Sequence, residues 1–130
     1  MNEPDRPPPC ILLAEDEAII ALELADSLER EGFEVAGPFT TCADAEGWLK
    51  AHQPSGAILD NALKDGPCEV LAGDLQRRGI PFVVYSGHSR TPDLPVVFAD
   101  VPWIVKPAPT EALLRALRHS LATGALSEPL

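Results

Sequence analysis

The sequence predicts an α/β fold, a parallel sheet covered by helices, and two observations carry that prediction. Short unbroken apolar runs alternate with amphipathic stretches along 130 residues, with no internal repeat. The acidic and polar residues able to do chemistry sit directly after those apolar runs, where the carboxyl ends of parallel strands are expected.

The first strand is expected over Cys10–Ala14, an apolar run of the kind buried on both faces in a parallel sheet. Ala18, Ala21, Leu22, Ala25 and Leu28 then recur at helical spacing, Glu23, Asp26 and Arg30 lie off that stripe, and Gly32 is placed to stop the helix. Residues 33–39 read as a second strand. Thr41 with Asp44 resembles a capping box opening a helix to about Ala51. The third strand is 57–60 and the next loop 63–67, with Pro67 suited to a first helical position ahead of a helix over 68–78 that closes at Gly79. Pro81 leads into a fourth strand, 82–85. Pro92 and Pro95 oppose a full-length helix over 89–100, yet Val96, Val97 and Phe98 need burial, so a short or distorted element is expected there. Trp103–Val105 is the fifth strand, and 111–122 the last helix, with Leu113, Leu117 and Leu121 on one side. Five strands and about five helices result, as one domain over 10–123. A polar, proline-bearing tail over 1–9 and a frayed end over 124–130 flank it.

Composition narrows the function. Hydrophobic residues make up 45% and charged residues 23%, as in soluble globular proteins. A net charge of -10, from 20 Asp and Glu against 10 Lys and Arg, argues against binding nucleic-acid phosphates or anionic lipid. Cys10, Cys42 and Cys68 are odd in number and widely spaced, with no CxxC pair or nearby histidine, and read as reduced structural thiols. The first residues lack the basic and apolar regions of a signal peptide, and no segment is apolar long enough to cross a bilayer, so a cytoplasmic location is expected.

Glu15 and Asp16 follow the first strand, Asp60 ends the third, Ser86 ends the fourth and Lys106 ends the fifth, so the topology should gather them in one shallow pocket. Three carboxylates there repel, each pair at 4 Å costing about 4 kcal/mol at an effective dielectric near 20. A hard divalent cation, magnesium, together with the Lys106 ammonium would offset that repulsion and an incoming phosphoryl group. Asp60 is then a natural nucleophile, able to become an acyl phosphate, with Ser86 donating a hydrogen bond to a phosphoryl oxygen. No Gly-rich phosphate cradle or Ser, His and Asp triad is evident, so the donor comes from elsewhere.

The blocks LLAEDE, AILDNALKDG, VVYSGH and WIVKPAP resemble the four signature blocks of response-regulator receiver domains, over roughly 11–121. The resemblance implies a flavodoxin-like three-layer fold with a five-stranded parallel sheet of order 2-1-3-4-5 and a cis Lys106-Pro107 bond. It implies that Asp60 is the phosphoacceptor, Asp16 a direct magnesium ligand, Glu15 a ligand through water, and the Ala62 backbone carbonyl a further ligand. Ser86 matches the switch hydroxyl, Lys106 the phosphoryl-binding lysine, and Trp103 the switch aromatic, where tyrosine or phenylalanine is commoner. Ala62 and His88 occupy positions that tune phosphoryl hydrolysis in the family. The implied partners are a sensor histidine kinase or a histidine phosphotransfer protein, with an unidentified downstream protein. The YSGH block and the proline-bearing segment after it are similar to single-domain alphaproteobacterial receivers that work with histidine kinases of the HWE type.

Taken singly these residues are ordinary: Asp16 could cap a helix, Ser86 could be a turn hydroxyl, Trp103 could be packing, and His88 a bland loop residue. Their joint placement after successive strands outweighs that reading. Two rivals accompany a stand-alone receiver whose phosphorylation switches partner binding. One is a phosphoryl shuttle or sink in a phosphorelay. The other is a haloacid-dehalogenase-like phosphatase, which needs an acid two residues beyond its nucleophile; that position is Ala62, so a non-enzymatic domain with slow self-dephosphorylation is favoured. A pseudo-receiver without phosphorylation is opposed by the full set of acids, serine and lysine.

Overall fold

The apolar run Cys10–Ala14 forms strand β1 in a computed structural model that describes residues 7–126. It is followed in chain order by α1 (Ala18–Arg30), β2 (Glu34–Phe39), α2 (Cys42–Leu49), β3 (Gly56–Leu59), β4 (Ala62–Leu63), β5 (Gly66–Pro67), α3 (Glu69–Arg77), β6 (Phe82–Ser86), a 3₁₀ turn (Val96–Phe98), β7 (Trp103–Val105) and α4 (Thr110–Leu126). Five strands make one parallel sheet of order β2-β1-β3-β6-β7, which is 2-1-3-4-5 when only its own strands are counted. β4 and β5 pair antiparallel as a separate two-residue hairpin. The flavodoxin-like order expected from the resemblance is therefore present, with four α-helices and the 3₁₀ turn on the two faces.

Strand alternation explains why β1 is apolar throughout. Leu12 and Ala14 face one core with Leu49, Leu59, Leu71, Leu75, Phe82 and Phe98, under α2, α3 and the 3₁₀ turn. Ile11 and Leu13 face the other with Leu24, Leu28, Ile58, Val83, Leu113 and Leu117, under α1 and α4. On α1 the buried stripe runs through Ala21, Leu24 and Leu28, whereas Leu22, expected in that stripe, is 67% exposed. The correction is a rotation: Leu24 is three residues from Ala21 and four from Leu28, while Leu22 points about 100° away from Ala21.

Between β3 and α3 the chain departs from the expected loop. Pro67 does not open α3; it closes the small hairpin, pairing with Ala62, and Cys68 occupies the position before the helix. Asp65, at the hairpin tip, accepts the backbone N–H groups of Cys42 at 2.7 Å and Ala43 at 3.0 Å, and Thr41 Oγ1 accepts that of Asp44 at 3.1 Å. Two side chains thus cap α2. The hydrogen bonds from Cys42 and Ala43 hold the Asp65 carboxyl below its ordinary value. Proline content limits the 89–100 segment to the one 3₁₀ turn, which still buries Val97 and Phe98; the Arg90 guanidinium donates to the carbonyls of Ala99 and Val101 across it. Gly37 sits at φ +110° where the β1 and β2 register shifts, and a Cβ there would lie 2.6 Å from the Leu13 carbonyl oxygen, so only glycine fits.

Cys42 and Cys68 are joined by a disulfide, with Cα atoms 5.8 Å apart, which corrects the expectation of three reduced thiols; Cys10 remains a free thiol. The pair is separated by 26 positions and meets only because the hairpin brings the start of α3 beside the start of α2. The Lys106-Pro107 bond is cis, as the resemblance implied, and so is Gly37-Pro38. Helix α4 begins at Thr110 and runs to Leu126, four residues beyond its expected end. The terminal tails expected over 1–9 and 124–130 fall largely on residues outside those described.

Two outcomes follow from these contacts. In urea unfolding without reductant, Cys42→Ser should lower stability by about 3 kcal/mol, as loss of a cross-link of this span does, and dithiothreitol should remove a similar amount from the wild-type chain; equal midpoints with and without reductant would contradict the cross-link. Asp65→Ala should lower the thermal midpoint at neutral pH. Because the Asp65 carboxyl is depressed on folding, its contribution is present above the ordinary aspartate value of about 4 and is lost as pH falls through the lower folded value. The gap between wild type and variant should therefore close in acid, and a pH-independent gap would contradict the capping role.

Candidate functional site

The ladder bonds of the sheet carry the candidate residues to one edge. Glu15, just past β1, donates its N–H to Phe39 O at 2.9 Å; Asp60, just past β3, donates to Ala14 O at 3.1 Å; Lys106, just past β7, donates to Ser86 O at 2.7 Å. Each is therefore held by the backbone of its neighbouring strand before any side-chain contact forms.

Their side chains converge. Carboxylate oxygens of Glu15, Asp16 and Asp60 all lie within 4.8 Å of one another. The Lys106 Nζ donates to Asp60 Oδ2 at 3.0 Å, to Glu15 Oε2 at 3.0 Å and to Glu17 Oε2 at 3.1 Å. Glu15 is 2% exposed, the Lys106 side chain 10% and that of Asp60 12%, so this is a partly desolvated ion-pair network and not a surface contact. Burial pushes the Glu15 carboxyl above its ordinary value; the Glu17 N–H and the Lys106 ammonium pull the other way, and Asp60 adds to the rise. Burial works against the Lys106 charge, but hydrogen bonds to Asp60, Glu15 and Glu17 outweigh it and hold the ammonium above its ordinary value. Three clustered carboxylates against one ammonium leave negative charge over, and the donors are hard oxygens. That chemistry fits a hard divalent cation.

Ser86, fully buried, is at the same edge but directed elsewhere. Its hydroxyl donates to Asn61 Oδ1 at 2.6 Å and accepts the His88 N–H at 3.0 Å. The His88 carbonyl in turn accepts the Trp103 Nε1–H at 2.9 Å. Trp103 is half-buried, edge-on to Phe98 with ring centroids 5.9 Å apart, and the Arg90 guanidinium lies 5.7 Å from its centroid. Ala62 is exposed at the start of β4 and its N–H points to Asp60 Oδ1 at 3.4 Å. Tyr85 exchanges hydrogen bonds with the backbone of Ala108, fixing the segment after the cis bond.

Glu17 and Asn61 join the site without being marked in the residue string. The Glu17 signal was present as a third acid in AEDEA, but an acid at the start of a helix is ordinarily a helix-terminus charge. Asn61 follows Asp60 directly, and nothing in the residue string indicates that its amide would reach a serine 25 positions later.

No protein-family model matches the chain. Over 82 residues it is 32% identical to the transcriptional regulatory protein PdtaR of Mycobacterium tuberculosis, a match covering 62% of this chain; the chain thus spans about 40% of the length of that curated relative. Among solved structures, SdrG from Sphingomonas melonis Fr1 is 31% identical with a TM-score of 0.75, covering 90% of this chain and 98% of that one. A response regulator receiver protein from Sinorhizobium medicae WSM419 is 26% identical with a TM-score of 0.76, covering 90% and 97%.

The ion-pair geometry has a measurable consequence. Lys106→Met strips the ammonium from two poorly exposed carboxylates and should lower stability at neutral pH, in the absence of divalent cations, by about 2 kcal/mol. An unchanged or raised unfolding midpoint would contradict the network as described.

Proposed function

The chain belongs to the response-regulator receiver domains of two-component signalling, and from that premise we propose that it accepts a phosphoryl group on Asp60 from a histidine kinase or histidine phosphotransfer protein and that this changes its affinity for a downstream protein. The observation that carries the proposal is the contact of Lys106 Nζ with Asp60 Oδ2 at 3.0 Å inside the Glu15, Asp16 and Asp60 cluster. The receiver unit runs in this reading from β1 through α4, three residues past the expected boundary at 123, and its place is the cytoplasm, where such kinases present phosphohistidine. Among the described residues no helix is long and apolar enough to cross a membrane.

In the reaction an Asp60 carboxylate oxygen attacks the phosphorus of phosphohistidine. The oxygen–phosphorus bond forms, the phosphorus–nitrogen bond breaks, and the released imidazole takes up a proton from solvent. Lys106 is already within hydrogen-bond reach of Asp60 and offers its charge to the phosphoryl oxygens without a long excursion. Asp16, Asp60 and the Ala62 carbonyl would hold magnesium, with Glu15 acting through water; when bound, that ion offsets charge on the phosphoryl oxygens. Ser86 donates to a phosphoryl oxygen once the group is in place, and its linkage through His88 to Trp103 gives the modification a route to the β6 and β7 side of the domain. Ala62, two residues past Asp60, has no proton-transfer group, which favours a phosphoacceptor over phosphatase turnover.

Incubation with acetyl phosphate and magnesium should add the mass of one phosphoryl group to the wild-type chain and none to Asp60→Ala. Retention of the added mass in the Asp60→Ala chain, or sustained hydrolysis of a small phosphate ester by the wild type, would defeat the proposal.

A further inference from the structure

Ser86 donates to Asn61 Oδ1 at 2.6 Å from a hydroxyl with no exposure to solvent. A serine hydroxyl has one proton to donate. While that proton is given to Asn61 Oδ1 it is not available to an oxygen on Asp60. We propose that Asn61 is a positioning residue, a latch that holds the Ser86 hydroxyl in the resting direction and so sets the free energy that phosphorylation must supply to turn the switch. The proposal rests on the reading of Asp60 as phosphoacceptor and Ser86 as switch hydroxyl given above.

Phosphorylation would exchange the partner of the Ser86 hydroxyl. In the resting state Ser86 donates to a neutral amide oxygen; in the phosphorylated state it would donate to a doubly charged phosphoryl group, and charge-assisted hydrogen bonds are roughly twice as strong as neutral ones. The second acceptor wins only when it is present, so two discrete directions of one hydroxyl are available and intermediate ones leave a buried donor unpaired. The latch is also wired outward. The oxygen that donates to Asn61 accepts from the His88 N–H, whose own carbonyl accepts the Trp103 indole N–H. Release of Ser86 from Asn61 disturbs the 87–88 peptide and thereby the indole. The Asn61 backbone is tied to the residue ahead of α3, since its main-chain carbonyl accepts the Cys68 N–H at 2.8 Å, so the backbone that carries the acceptor is anchored.

Removing the acceptor should destabilise the resting state and leave the phosphorylated one untouched. Asn61→Val, or Asn61→Ala if valine is not tolerated, should reduce by about tenfold the beryllofluoride concentration, at fixed magnesium, that half-saturates the domain, one hydrogen bond's worth of bias. It should also shift the Trp103 indole N–H resonance of the free protein toward the position seen in the beryllofluoride-saturated wild type; Trp48→Phe identifies that resonance, because the chain has two tryptophans. The discriminating readout is a double-mutant cycle: the effect of Asn61→Val should vanish in a Ser86→Ala background, where there is no hydroxyl to release. A wild-type chain that gains phosphoryl mass while Asn61→Val acts equally with and without Ser86, or leaves affinity and indole unchanged, overturns the latch alone. A wild-type chain that neither gains phosphoryl mass nor binds beryllofluoride overturns the parent reading and the latch with it.

Discussion

The sheet brings mutually repelling carboxylates to one edge, and the ammonium of Lys106 offsets that repulsion, so the charge balance of the edge turns on this one contact. Glu15 arrives from one strand and Asp60 from another, both poorly exposed, and each is met at 3.0 Å by the same Nζ. A pair of like charges a few ångströms apart costs several kcal/mol at protein-like dielectric, and desolvation adds to that. One lysine offsets part of this and leaves the cluster short of positive charge, a donor set that fits a hard divalent cation. Without the ammonium the buried Glu15 would be an uncompensated charge; without the surplus acids the lysine would be an ordinary salt bridge.

The sheet supplies this contact through parallel pairing. Consecutive strands of a parallel sheet end on the same side, so residues placed immediately after β1, β3 and β7 become neighbours although they are tens of positions apart. The core on both faces fixes register, because a one-residue slip in β1 would send Ile11 and Leu13 to the face built for Leu12 and Ala14. Packing and site geometry are thus one constraint. The hairpin after Asp60 adds a second: through Asp65 on the α2 amides and the Cys42–Cys68 cross-link it anchors the loop that carries Asp60, Asn61 and Ala62 to α2. In a reducing cytoplasm that cross-link would be held open as two thiols, leaving Asp65 and the core contacts to anchor the loop.

Much of this was legible in the residues. The unbroken run Cys10–Ala14 marked a doubly buried strand, Thr41 marked the α2 start, and the prolines at 92 and 95 marked the place where a helix fails. Glu15, Asp16, Asp60 and Lys106 could be drawn together because the strand-end rule needs only strand positions. What was missed depends on distances that a string does not encode. The Cys42–Cys68 pairing required the hairpin, which two-residue strands do not announce. Leu22 was placed in the stripe because it is apolar and near, whereas the helix phase is set by Leu24 against the sheet. Glu17 and Asn61 were passed over because their partners come from other elements.

The most direct examination of the acidic cluster is a magnesium titration followed through backbone amide resonances of 14–17 and 59–62. One saturable site is expected, strongly weakened in Asp16→Asn and leaving the amides of α4 undisturbed. A wild-type chain whose amides do not respond to magnesium, or an Asp16→Asn chain that binds the ion as tightly as the wild type, would show that the carboxylates at the strand tips do not form a cation site.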